Sequence, residues 1–388
     1  MGKNGKRRLA VGVVLVVLIL SGFLKKEVKE QVKKSTGEIF CSFFTRQTDE
    51  IWSADIFSLP PFAKKKQVAK VEYDPAKLQQ ENETMLQQEN RDYETQGLQG
   101  DTVVQSEKAA VVPAAGTMKN TGSEAYVKKL WETKDVNYLW DHFYIVDSTT
   151  SVRKKLFPVE QLLKRNMCLE PQKGKKQILI YHTHGASETF VDSRPGKIED
   201  GVIGVGEVLK NELGKNGYEV LHDTTKYDWM DGRIDRSKAY NVSLEGVQRQ
   251  LEQNPDIQVL IDLHRDSVGK NKHTYTTING KRSAIVMFFN GMSRNREGEI
   301  EYLANPNREA NLAFSLQLKC HAMELFEGFT KPIYLKGYRY NLHLKERSLL
   351  IELGNENNTV EEAKNAAAPL AKVIADVLKG EVKHTLPG

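Results

Sequence analysis

The amino-acid sequence predicts an α/β fold for the carboxyl-terminal part of the chain: a mostly parallel twisted sheet with helices on both faces. Three observations carry that expectation. Short apolar runs such as Gln177–Thr183, Gln258–Leu263 and Ser348–Leu353 are nearly continuous, as in strands covered on both sides. Longer segments of helical spacing separate them, the pattern of strands joined through crossover helices. The residues able to do chemistry fall at the ends of the apolar runs, where open α/β sheets hold their ligands.

Taken in order, Lys3, Lys6, Arg7 and Arg8 make residues 1–8 a basic cytoplasmic tail, and the uncharged run Leu9–Leu24 is closed by Lys25 and Lys26. Sixteen residues at ~1.5 Å each span about 24 Å, short of a ~30 Å hydrocarbon core, and snorkelling lysines with local bilayer thinning make up the difference. Residues 9–24 are therefore expected to be a single-pass transmembrane anchor in the cell membrane, with everything after it on the extracytoplasmic face. A cleaved signal peptide begins the same way, but no AxA site follows. Residues 25–125 are expected to form an extracytoplasmic, partly disordered spacer. Its first part holds Phe40, Phe43, Phe44, Trp52 and Phe57, and its second is rich in Gln, Glu, Lys and Thr without a sustained period. The folded domain spans 126–388. Beyond the three strands already named, the pattern predicts a helix over Gly201–Asn216, a strand over Tyr218–His222 and a helix over Ser243–Gln253. A strand over Ser283–Phe289, a long helix over Asn307–Gly328, a strand over Pro332–Leu335 and a closing helix over Val360–Lys379 complete it.

Composition narrows the function classes. Mean hydropathy of −0.51 with 28% charged residues means that part of the 388-residue chain is not packed. A net charge of +5 suits an anionic surface, lipid or cell-wall polymer, and is too weak to argue for nucleic acid. Cys41, Cys168 and Cys320 include no CxxC pair, so they supply neither a disulfide framework nor a thiolate zinc cluster. A metal here would rest on histidine and carboxylate.

The chemistry concentrates in QILIYHTHGASE, Gln177–Glu188. Residues two apart on a strand share a face, so His182 and His184 are expected to point the same way, and a turn at Gly185 would bring Glu188 back toward them. His264 in LIDLHRD and Glu352 in LLIELG also end strands. Zinc hydrolases use three protein ligands, an open position for water and a base; His182 or His184, with Glu188, His264 and Glu352, supply those types. A lone carboxylate inside LLIELG is costly unless compensated, which favours a general base at Glu352 over a strand-edge salt bridge. Arg265 is a candidate to hold a substrate carboxylate and Asp266 to orient a ligand imidazole. Arg339, Asn341 and His343, with Tyr338 and Tyr340, are candidates to line the cleft. His222 ends a strand among turn residues and reads as structural.

YHTHGASETF, DLHRDS and YRYNLHLKERSLLIELGNENNT together resemble the signature regions of the stage II sporulation protein P family, over roughly Tyr138–Leu378. That family is similar to zinc-dependent N-acetylmuramoyl-L-alanine amidases with a phosphorylase/hydrolase-like fold. The resemblance implies a peptidoglycan amidase of sporulation engulfment that also cleaves peptide cross-links, with stage II sporulation proteins D and M as partners. It implies zinc on His184, Glu188 and His264, with His182 as rival first ligand, and catalysis by Glu352. The GASETF segment departs from the usual Thr-Ser-Glu but keeps Ser187 and Glu188. Two other readings compete: a zinc carboxypeptidase or endopeptidase on wall peptides, and a tethered wall-binding scaffold that cuts nothing.

Overall fold

The computed structural model describes residues 123–382, so the basic tail, the anchor and all but the end of the spacer lie outside the described residues. Helices α1 (Ser123–Thr133) and α2 (Val136–Phe143) lead into strand β1 (Tyr144–Val146). Asp135 caps α2, its Oδ1 accepting from Tyr138 N at 2.7 Å. After α3 (Val159–Lys164) come β2 (Lys176–Tyr181), α4 (Val202–Lys215), β3 (Glu219–His222) and the small pair β4 (Trp229–Met230) and β5 (Arg233–Ile234). Helix α5 (Ala239–Gln253), β6 (Val259–Asp266), the hairpin β7 (Tyr275–Ile278) and β8 (Lys281–Ala284), and β9 (Val286–Gly291) follow. The chain closes with α6 (Arg308–Leu325), β10 (Ile333–Lys336), β11 (Arg347–Asn355), α7 (Val360–Asn365) and α8 (Ala367–Lys379).

Seven strands make one sheet in the order β1-β10-β9-β11-β6-β2-β3. All neighbours are parallel except β9 and β11. The mostly parallel sheet is thus two parallel blocks of opposite direction, joined at its middle. Alternation sends Ile178, Ile180, Ile261, Leu263, Ile351 and Phe288 to one face, where they pack with α4, α6 and α8 in the main core. Leu179, Tyr181 and Leu260 point to the other face and meet Val247 of α5. Beside them, Phe289 and Leu350 are covered by the Tyr340–Leu342 turn. Strand β1 at the far edge leaves Ile145 42% exposed, so this second face is covered over only part of its width.

Several elements differ from the expectation. Strand β2 ends at Tyr181 and residues 183–187 form turns. Strand β6 runs to Asp266, so His264 lies inside it. The run Ser283–Phe289 breaks at Ile285 into β8 and β9. The closing helix is interrupted at Ala366 because Pro369, in the first turn of α8, has no amide hydrogen to bond back into α7. Among the described residues no helix is long and apolar enough to cross a membrane.

Candidate active site

A cleft of about 430 Å³ opens over β11, β9, β10 and β1 and reaches the rim where β2 and β6 end. His184, Glu188, His264 and Glu352, drawn from three distant segments, all line it.

The two histidines of the first segment separate. Because β2 stops at Tyr181, strand alternation no longer governs residues 182–187; Gly185 N donates to His182 O and Glu188 N to His184 O, so the chain turns between them. His182 is consequently buried beneath α4, with Nδ1 2.8 Å from Leu263 O and Nε2 2.9 Å from His222 Nε2. Burial first, then the neighbouring His222, pushes its pKa down to about 4. The expectation that both histidines share a face is therefore corrected, and His182 does not line the cleft. His184 does: its ring meets Tyr240 edge-on at 5.4 Å and lies 5.3 Å from the His264 ring. Its Nδ1 is buried without a hydrogen-bond partner. The loop is held by Asp228, whose carboxylate accepts from Ala186 N at 2.8 Å, Ser187 N at 3.0 Å and Ser187 Oγ at 2.6 Å.

Glu188 accepts from Arg265 N at 3.0 Å and Arg236 Nη2 at 3.3 Å, and its Oε1 lies 3.2 Å from His264 Nδ1. Burial alone would raise its pKa, but His264 and Arg236 outweigh burial and hold the carboxyl well below the usual range. The other nitrogen of His264, Nε2, lies 2.8 Å from Asp262 Oδ1. Burial works against charge on this ring, yet Asp262 and Glu188 on either side raise its pKa well above the ordinary value.

Glu352 sits on β11 with His264 and Met287 as its neighbours across the sheet, and its Oε2 is buried with no hydrogen-bond partner. Strand β11 is central, so the alternative of a strand-edge salt bridge does not arise. Burial is the largest influence and pushes Glu352 up to about 8, with Glu188 and Asp266 adding to it against His264 and Arg265.

The supporting candidates fare differently. Arg265 lines the cleft, but its Nε donates to Thr189 O and its Nη1 to Asp266 O. Asp266 pairs with Lys331 at 2.9 Å and orients no imidazole; Asp262, two residues before His264 on the same face, stands against that ring. Tyr340 lines the cleft, whereas Arg339, Asn341 and His343 are not among its lining residues. Asn341 donates instead to Tyr240 O at 3.0 Å and Ser243 Oγ at 3.1 Å. His343 is folded away, and burial, then Arg339, lowers it to about 3. Arg236, Tyr240, Asp228 and Asp262 were not read from the sequence. Only Asp262 carried a signal there, a carboxylate inside the apolar run LIDL.

In donor chemistry the set suits a divalent cation: two imidazoles and a carboxylate on one rim, with a buried, unpartnered Nδ1 on His184. Among the described residues no three such side chains already converge on one point, since Glu188 is turned to Arg236 and the Arg265 amide.

A family model described as stage II sporulation protein P matches residues 46–375. The Stage II sporulation protein P of Bacillus subtilis (strain 168) is 28% identical over 218 residues, which cover 52% of this chain and 51% of that protein. The chain thus matches about half the length of that curated relative. Among solved structures, the catalytic domain of CwlV, N-acetylmuramoyl-L-alanine amidase from Bacillus (Paenibacillus) polymyxa var. colistinus, is similar over 54% of this chain and 99% of that one, with 16% identity and a TM-score of 0.33. An N-acetylmuramoyl-L-alanine amidase from Clostridium difficile 630 is similar over 53% of this chain and 95% of that one, with 16% identity and a TM-score of 0.31.

Proposed function

The chain belongs to the stage II sporulation protein P family, and from that membership we propose that it is a zinc-dependent peptidoglycan hydrolase that cuts the amide between the lactyl group of N-acetylmuramic acid and L-alanine. The observation that carries this reading is the meeting of His184, Glu188, His264 and Glu352 in one cleft, with Glu352 Oε2 buried and without a hydrogen-bond partner. His184, Glu188 and His264 would hold the zinc ion, which when bound supplies a Lewis acid that polarises the amide carbonyl. Glu352 takes a proton from the attacking water and passes it to the departing L-alanine nitrogen; a carboxyl with a pKa near working pH suits both transfers. Arg236 lines the cleft beside Glu188 and offsets its charge. The Tyr240 ring closes over His184 and limits its access to bulk water.

The proposal includes a single-pass anchor at residues 9–24, with the hydrolase domain on the extracytoplasmic face remodelling septal wall during engulfment. Stage II sporulation proteins D and M are its proposed partners, and peptide cross-links a second bond it cleaves. Metal content and muropeptide mass spectrometry of wild type and His264→Ala test the reading. The expected result is about one zinc per chain and stem peptides released with free lactyl carboxyl groups, by wild type only. Equal digestion by both proteins would overturn the mechanism.

A further inference from the structure

The floor of the cleft leads away from the proposed reaction centre. Leu350 of β11, Phe289 of β9, Tyr334 of β10 and Ile145 of β1 are successive register partners across four strands, and all line the cleft. With ~4.8 Å between strands, this apolar row runs about 14 Å from β11 to β1. Leu350 stands two residues before Glu352 on the same face, so one end of the row adjoins the proposed catalytic carboxyl. The other end adjoins two charges. Lys336 of β10 lies two residues past Tyr334, and Asp147, which follows β1, donates its backbone N to Leu335 O at 2.9 Å. Both charged side chains line the cleft.

The Asp147 carboxylate is fixed by its neighbours. Its Oδ1 accepts from Thr149 N at 2.8 Å and Thr149 Oγ1 at 2.6 Å, and its Oδ2 accepts from the Tyr334 hydroxyl. Burial raises its pKa, but these donors and the Lys336 ammonium outweigh burial and hold the carboxyl below its ordinary value. An anion fixed in a cleft suits a cation, and the N-acetylated sugars of a glycan strand carry none. A diamino acid in the stem peptide carries one on its side chain. An extended peptide advances ~3.4 Å per residue, so a third residue with its side chain covers the ~14 Å from Glu352 to Asp147. Lys336, beside Asp147, suits a carboxylate at the same side-chain end. We propose that Asp147 and Lys336 form a specificity subsite for the third residue of the stem peptide, taking the ammonium and the carboxylate at the far end of a diaminopimelate-type side chain. This rests on the hydrolase reading for the identity of the ligand, and adds to it the direction in which the peptide lies and the wall chemistry it prefers.

The test measures binding of two peptides to the full-length chain by calorimetry. One is L-alanyl-γ-D-glutamyl-meso-diaminopimelate; the other ends in L-lysine, which keeps the ammonium and lacks the carboxylate. Neither contains the scissile amide, so binding is read without turnover. Wild type is expected to bind the first about tenfold more tightly. Lys336→Met is expected to erase that preference, and Asp147→Asn, which keeps the shape and removes the charge, to weaken both peptides by about tenfold. In muropeptide release the Asp147→Asn defect is expected in KM rather than kcat. Equal binding of the two peptides by wild type, binding of neither, or wild-type affinities in folded Asp147→Asn overturns the subsite, even where wild type releases stem peptides from the wall. The expected binding pattern with no stem peptide released overturns the hydrolase reading and leaves the subsite standing. If Asp147→Asn does not fold, the wild-type preference and Lys336→Met decide the question.

Discussion

Glu352 concentrates the conflict between folding and chemistry in one carboxyl. In the metal-free protein its pKa is raised to about 8 from an ordinary 4.5, so the folded state holds a proton that the unfolded chain releases. That difference destabilises the fold progressively as pH rises from about 4.5 to 8. Glu352→Gln removes the ionisation and is expected to stabilise the metal-free protein by about 1–3 kcal/mol near neutral pH. Turnover of the same variant should fall by about 10²–10⁴-fold. Urea unfolding and muropeptide release read the two effects separately, and a variant that loses stability would count against an uncompensated carboxyl. The histidine pair gives a second contrast. His184→Ala should lose zinc by more than the ~10–100-fold typical of an outer partner, whereas His182→Ala should keep zinc and lose stability, since His182 packs beneath α4. Zinc retained by His184→Ala would transfer the ligand role elsewhere.

At the scale of elements, the docking of α4 on the sheet depends on a missing side chain. A Cβ on Gly206 would stand 2.6 Å from His182 Nε2 and 2.7 Å from His222 Nε2, closer than packed atoms approach. Gly206→Ala is therefore expected to cost about 1–3 kcal/mol, visible as a lower urea midpoint. No change would mean that α4 lifts off the sheet freely. The strand and helix pattern was legible where burial imposes it: β2, β6, β11 and α4 lie within a few residues of their expected positions because both faces of these strands, or one stripe of the helix, are apolar. The cluster of His184, Glu188, His264 and Glu352 was legible for the same reason, since polar residues at the ends of apolar runs stand out. What the pattern could not carry is direction and partnership. The antiparallel meeting of β9 and β11 leaves no local trace. Nor does the turn that divides His182 from His184, because two-residue alternation holds only while the strand lasts. Arg236 and Tyr240 reach the cleft from α5 and the segment before it, where exposed polar sequence conceals their direction.

For the whole molecule, acid sensitivity follows from histidines that fold in neutral form. His182 is lowered to about 4 and His343 to about 3, both from 6.5. Below about pH 6.5 the unfolded chain takes up protons that these folded rings refuse, so stability falls as pH drops toward 4, and the stability is fully present above 6.5. His182 alone accounts for about 3 kcal/mol of that loss. Denaturant unfolding near pH 7 and near pH 4.5 should show a clear drop, smaller in His182→Gln; an identical pH profile in that variant would remove His182 as a cause.

The placement of β11 also governs when the molecule can exist during its own synthesis. Among the described residues it is the last strand in chain order, yet it joins the two blocks of the sheet and carries Glu352. A nascent chain that has not yet released Asn355 holds β9 and β6 with nothing between them, so no pairing across the middle is available to nucleate the sheet early. A partly made chain accordingly lacks both the joint of its fold and its proposed catalytic carboxyl. The proposed activity therefore becomes available only once β11 has been made.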